Sequence, residues 1–164
     1  MLSRLVLLFS FCSVLIACKK SSGTSSCNYT ASAIVVPASE MTALQAYVAT
    51  RPGTPILNSG GFYYEITTAS TGSVTPEICS GVSVKYAGYL TNGFKFTSAA
   101  EETTGATYTL GQLIPGWQRG IPLIKAGGAI TLYLPPSLGY GSSAAGSIPA
   151  NSILIFTIQL TAVQ

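Results

Sequence analysis

Whatever chemistry this chain performs must be done with few charges and no imidazole. Histidine is absent, and five carboxylates stand against eight Lys and Arg in 164 residues. Ser-His-Asp and Cys-His nucleophile systems are excluded, as are zinc sites built on His. Glu101 and Glu102 adjoin, but neighbouring side chains do not converge, and the pair reads as a solvated turn. No CxxC spacing offers redox work or a zinc ribbon, so neither metal nor cofactor is expected. Gly139-Tyr140-Gly141 with Ala144 spells a dinucleotide fingerprint on paper. No helix pattern follows it, and no acidic residue after Glu102 could hold a ribose. What remains are aromatic residues in unusual places. Trp117, the single tryptophan, stands at a helix start behind Pro115-Gly116, where a purely structural indole is little expected. Tyr140 lies between two glycines in a loop, where an aromatic with a polar tip usually has a contact to make. Tyr86 and Phe156, taken alone, would be core in almost any sheet.

The elements that must position these residues follow from hydrophobic periodicity. Residues 38–51 read as a helix, capped by Ser39, with Met41, Leu44, Tyr47 and Val48 on one stripe and Pro52-Gly53 as its stop. Residues 55–61 read as a linker. From Phe62 the period becomes two: strands are expected over 62–68, around Val82–Tyr86, over 130–134 and over 154–160. Thr91-Asn92-Gly93 predicts a hairpin turn, with 94–97 returning as a strand and 106–110 pairing beside it. One helix fits this half, from Gly116 to about Ile121, ended by Pro122. The expectation is an α+β domain, a mostly antiparallel sheet with one short helix. Only 8% of residues are charged while 48% are hydrophobic, against about 25% charged in an ordinary domain. The formal charge of +3 is spread thinly with no basic run, so no nucleic-acid partner is expected.

Four segments together carry a resemblance: VSVKYAGYLTNGFKF, YTLGQLIPGWQRGIPLIKAGG, ITLYLPPSLGYG and IPANSILIFTIQL. Their order and spacing resemble the FKBP-type peptidyl-prolyl cis-trans isomerases over about residues 62–164. The resemblance implies a half-open antiparallel sheet wrapped around the short helix, with a hydrophobic pocket between them and a short helical N-terminal extension. It implies that Tyr86 and Phe96 line the pocket walls, that Leu113 and Ile114 flank it, and that Trp117 forms its floor. Tyr140, Ile148 and Phe156 complete it, with the Ile114 N–H and the Tyr140 hydroxyl as donors to a bound peptide. A further family aromatic aligns with either Ala106 or Tyr108. Where relatives commonly follow the phenylalanine with an aspartate that orients pocket hydroxyls, this chain has Thr97. Implied partners are proline-containing unfolded polypeptides and the macrolide ligands of the family. The implied activity is isomerisation of X–Pro bonds in exported, folding proteins. The alternative is a catalytically weak proline-peptide binding module or holdase of the cell envelope, which the departure at Thr97 keeps open.

The N-terminus reads as an address. Residues 1–17 combine Arg4 with an apolar run of signal-peptide length, short for a membrane span. Leu15-Ile16-Ala17-Cys18 resembles a lipoprotein lipobox, which makes Cys18 the expected lipidation site and places the protein on a membrane of the bacterial cell envelope, facing an extracytoplasmic compartment. Residues 18–61 are then expected as a tether and helical extension. Cys27 and Cys79 remain, an even number in an oxidising compartment, and a disulfide between them is expected.

Overall fold

A computed structural model describes residues 27–164; the leader over 1–17 and the lipidation site Cys18 lie outside the described residues. Six strands form one sheet: β1 (Ile56–Asn58), β2 (Phe62–Thr68), β3 (Gly81–Leu90), β4 (Ala106–Thr109), β5 (Ala129–Leu134) and β6 (Leu154–Val163). Their order is β1-β2-β5-β6-β3-β4, every pairing antiparallel. Three α-helices accompany them among the described residues: α1 (Ala38–Val48), α2 (Ala99–Thr103) and α3 (Pro115–Gly120). The α+β architecture expected from the sequence is therefore the one found.

The period of two decides how the sheet is used. In β6, Leu154, Phe156, Ile158 and Leu160 are buried on the face toward α3, while Ile155 joins Tyr133 of β5 on the opposite face. That opposite face is covered by α1, whose Leu44 and Val48 pack on Tyr133 and Ile155. On the α3 side, Gly116 and Gly120 face Leu134 and Leu132 of β5, and a Cβ at either glycine would collide with the leucine. One turn apart on one face, the two glycines let α3 lie hard against the sheet. That close approach seats Trp117 over β6.

Several elements depart from the sequence reading. Ser39 lies inside α1 and caps nothing; the extended Pro37 occupies the N-cap (φ −60°, ψ 142°), and its carbonyl takes the Met41 N–H. Residues 55–61 are not a linker, since β1 pairs with β2, Ile56 opposite Tyr64. Three residues are too short a run to show alternation. The Asn-Gly turn exists, but 94–97 returns as irregular chain joined to β3 by a single bridge, Tyr89 with Lys95. Here β4 occupies the β3 edge at Gly81–Val84, and the returning chain touches that edge again at 88–90. The chain between is α2, an additional helix the sequence reading lacked, started by a capping box in which Ser98 and Glu101 satisfy each other's backbone N–H.

The N-terminal segment is bound to the domain well before α1. Cys27 and Cys79 form a disulfide, with Cα atoms 5.8 Å apart. The Tyr29 hydroxyl accepts from Gln112 Nε2 at 2.7 Å, and the Ser32 N–H donates to Gln118 Oε1 at 3.3 Å. Arg119 donates to the carbonyls of Ser32, Ile34 and Gly60 at 3.0, 2.6 and 2.6 Å. From Cys27 onward the chain is thus docked on the domain; the tether expected before Cys27 lies outside the described residues. Among the described residues, no helix is long and apolar enough to cross a membrane.

Candidate functional site

A cavity of about 280 Å³ opens between α3 and the concave face of the sheet. Its floor is Trp117, nearly buried and held at the first turn of α3, where Pro115 fixes the entry and the Trp117 N–H returns to the Ile114 carbonyl. Tyr86 of β3 meets the indole edge-on at 4.8 Å between ring centroids, and Phe156 of β6 does so at 5.2 Å. Phe96 in turn stands edge-on to Phe156 at 5.5 Å. Such perpendicular contacts set the positive edge of one ring against the negative face of another and fix both. Gly88 makes this corner possible, since a Cβ there would meet the rings of both Phe96 and Phe156.

The rim comes from loops braced by backbone hydrogen bonds. Ile148, nearly buried, exchanges two backbone bonds with Ala145, which closes the 142–147 loop beside the cavity. Tyr140 is 42% exposed at the mouth, on a turn held by the Gly141 N–H to Pro136 carbonyl bond. Leu113 and Ile114 are half-buried on the other side. The Ile114 N–H has no intramolecular acceptor among the described residues. Between the two candidates for the further aromatic, Tyr108 reaches the cavity, its hydroxyl 3.4 Å from that of Tyr86.

Every residue singled out for the pocket from the sequence borders this one cavity, but one of them is occupied differently. Thr97 does not meet the Tyr86 hydroxyl; its Oγ1 accepts the buried Gly88 N–H at 3.0 Å. The Tyr86 hydroxyl instead donates to Glu101 Oε1 at 2.5 Å. The other carboxylate oxygen, Oε2, accepts from the Ser98 N–H at 2.6 Å and from the Ser98 hydroxyl at 3.0 Å. The sequence alone reads Glu101 as part of a solvated turn, whereas the structure sets it at the cavity wall. The signal that could have found it is Ser98-x-x-Glu101, a capping-box spelling that announces a helix and aims its glutamate back toward the preceding chain. Glu102 takes the other course and pairs with Lys95.

The electrostatics follow from these contacts. Burial, reinforced by donation to the Glu101 carboxylate, pushes the Tyr86 phenol far above its ordinary range, so it stays a neutral donor. Donation from Tyr86 holds the Glu101 carboxyl below the usual glutamate range. The Trp117 Nε1–H is buried with no partner among the described residues. No cluster of potential metal ligands occurs among the described residues. The site offers an aromatic box, donors at its mouth and one carboxylate at its wall, which suits binding and desolvation of a small ring better than acid–base chemistry.

Residues 72–161 match the family model described as FKBP-type peptidyl-prolyl cis-trans isomerase. The protein named FKBP-type peptidyl-prolyl cis-trans isomerase FkpA from Aeromonas hydrophila is 40% identical over 104 residues, covering 63% of this chain and 38% of that protein. A probable FKBP-type peptidyl-prolyl cis-trans isomerase from Haemophilus influenzae is 42% identical over 101 residues, covering 61% of this chain and 42% of that one. This chain thus spans well under half the length of these curated relatives. Among solved structures, that of FkpA from Escherichia coli superposes with a TM-score of 0.66 at 33% identity, covering 77% of this chain and 58% of that one. A peptidyl-prolyl cis-trans isomerase from Pseudomonas syringae gives 0.65 at 26% identity, covering 80% and 98%.

Proposed function

Because this chain belongs to the FKBP-type peptidyl-prolyl cis-trans isomerase family, we propose that its aromatic cavity accelerates rotation about X–Pro bonds in unfolded polypeptides. The observation that carries the reading is the Trp117 floor with Tyr86 and Phe156 set edge-on around it. A prolyl ring laid on that floor leaves water behind. The planar amide loses the solvation that favours its charge-separated form, and the barrier of about 18–20 kcal/mol loses part of its origin. Donors that meet the carbonyl better when the amide is twisted add differential binding of the transition state; the Ile114 N–H and the Tyr140 hydroxyl are the donors we assign to this. A 10⁴-fold acceleration asks for about 5.4 kcal/mol, within reach of packing plus one or two such bonds. No acid, base or nucleophile is required, in keeping with a chain that has no histidine.

The catalytically weak alternative rested on Thr97, and Glu101 supplies the carboxylate partner that Thr97 does not, which favours the enzyme. The same cavity is the seat we assign to the macrolide ligands of the family. Cys18 is the proposed lipid attachment point, and the cell envelope the proposed location. Because Cys27, nine positions later, is bonded to Cys79, the chain between Cys18 and Cys27 could span at most about 30 Å. The enzyme would therefore meet its clients close to the membrane surface. Mass spectrometry of the native protein should find an acylated N-terminal Cys18; an unmodified one removes the anchor.

The activity is tested on residues 19–164 with a short X–Pro peptide, by exchange spectroscopy between its cis and trans signals. Acceleration over the spontaneous rate, together with a change in Trp117 fluorescence on peptide binding, is the expected outcome. A binding signal without acceleration would return the reading to a proline-peptide binding module.

A further inference from the structure

Among the described residues, Glu101 is the single one bordering the aromatic cavity that is charged at neutral pH. Its carboxylate accepts three hydrogen bonds, from the Tyr86 hydroxyl and from the N–H and hydroxyl of Ser98. All three donors are neutral, so the negative charge is oriented but not compensated. The nearby cations are committed elsewhere: Lys95 pairs with Glu102, and Arg119 is spent on three backbone carbonyls behind α3. Lys85 borders the neighbouring depression with Thr67, Glu102 and Gln159 and makes no hydrogen bond or ion pair to Glu101.

From this arrangement we infer that Glu101 is a specificity-determining residue that makes the site select peptides with a basic residue next to proline and reject those with an acidic one. The inference rests on the proposed prolyl seat over Trp117. From that seat the carboxylate is one hydrogen bond beyond the Tyr86 ring, itself 4.8 Å from the indole, hence within about 10 Å, one screening length at 0.1 M salt. The side chain of the residue beside proline spans that distance. A lysine or arginine there brings its cation to the carboxylate along an apolar wall that weakens screening, with the Tyr86 and Tyr108 rings beneath its alkyl stem. A glutamate there meets like charge. The helix capping box keeps the carboxylate from swinging away, since Oε2 is held by Ser98 while Oε1 faces the cavity side through Tyr86. Residues 19–164, with seven Lys and Arg against five Glu, carry a formal charge of +2, which would by itself favour the acidic peptide, so the inferred order runs against the long-range field and cannot be mistaken for it.

Three peptides that differ only in the residue before proline (lysine, leucine or glutamate) test this. Binding is read by Trp117 fluorescence and turnover by cis/trans exchange, at about 10 mM and about 1 M salt, where the screening lengths are about 30 and 3 Å. At low salt the lysine peptide should exceed the glutamate peptide by about tenfold in affinity or in kcat/KM, equivalent to about 1.4 kcal/mol, and the gap should shrink at high salt. Glu101→Gln removes the charge and can keep the capping box through its one amide oxygen, with its NH₂ group turned to donate to the Tyr86 oxygen, so the ratio should fall to near one in that variant. Equal affinities for the lysine and glutamate peptides in the unmutated protein overturn the inference, as does a ratio that survives Glu101→Gln. Because affinity is read separately, a protein that binds the peptides without turning them over still decides the selectivity, while the missing turnover counts against the isomerase alone.

Discussion

The Tyr86 hydroxyl and the Glu101 carboxylate, 15 positions apart, are joined by a 2.5 Å hydrogen bond across the wall of the cavity. The contact ties β3, which carries the pocket wall, to α2, a five-residue helix that buries no residue and starts at its own capping box. Its effect on the two groups is opposite in sign and mutually supporting. The phenol is kept protonated and the carboxyl is kept ionised, which is the pairing that makes a strong, charge-assisted bond.

This bond gives acid stability a specific dependence. The folded Glu101 carboxyl titrates below its unfolded value, first because Tyr86 donates to it. Its contribution is therefore complete above the ordinary glutamate pKa of about 4.3 and is lost as pH falls through the lower folded value. Urea midpoints should show wild type ahead of Glu101→Gln at pH 7, with the difference closing below about pH 4. In Tyr86→Phe the largest cause of the shift is gone, so the Glu101 carboxyl resonance should titrate nearer the ordinary value. An unchanged Glu101 titration in Tyr86→Phe would show that the bond is not formed in solution.

Thr97 has a different duty, and its variant should fail differently. Its hydroxyl is the acceptor for the buried Gly88 N–H, in the stretch where Phe96 and Phe156 crowd that glycine. Thr97→Val keeps the shape and leaves the N–H unpaired, at a cost of about 1–3 kcal/mol. Thr97→Asp should not raise turnover, because the Tyr86 hydroxyl already has its carboxylate. Equilibrium unfolding of the valine variant and exchange kinetics of the aspartate variant check the two halves.

What the sequence made legible, and what it hid, divide along a physical line. The sheet was visible because its strands alternate between a core face and a second face, as β6 does from Leu154 to Leu160. The cavity residues were visible because Trp117 and Tyr140 stand where packing alone gives little reason for them. Glu101 was hidden because its role depends on α2, which buries no residue and so leaves no hydrophobic period to read. The docking of 29–34 was hidden for a related reason. Three of its bonds use backbone groups of Ser32 and Ile34, and any sequence supplies those.

That docking predicts a role for Arg119 outside the cavity. The guanidinium joins the last turn of α3 to Ser32, Ile34 and Gly60, so the chain leading back to Cys27 is fastened to the helix that carries the floor. Arg119→Ala should destabilise the protein by about 2 kcal/mol, since a charged donor is lost from partly buried acceptors. Amide exchange at Ser32 should accelerate far more than exchange in β6. Reduction of Cys27–Cys79, which closes a 52-residue separation, should lower stability by up to about 4 kcal/mol in the chain-entropy account. Uniform acceleration across the sheet in Arg119→Ala would mean that the segment and the domain open together.

The floor itself supplies the sharpest test of the proposed activity, because its two obvious variants separate stability from catalysis. Trp117 is 4% exposed and holds edge contacts with both Tyr86 and Phe156. Trp117→Ala opens a void under the prolyl seat and should cost about 3–5 kcal/mol, the usual range for deleting a buried large aromatic. Loss of activity there could follow from unfolding alone. Trp117→Phe keeps an aromatic surface and removes an indole N–H that has no partner among the described residues, so it forfeits apolar contact but no hydrogen bond. Its stability loss should therefore be clearly smaller than that of the alanine variant. Its kcat/KM should still fall, because a smaller ring leaves room for water beside the amide and restores part of the solvation the cavity removes. Cis/trans exchange rates, compared at temperatures where circular dichroism shows both variants folded, give the answer. Full acceleration in folded Trp117→Ala would put the reacting proline somewhere other than over this floor.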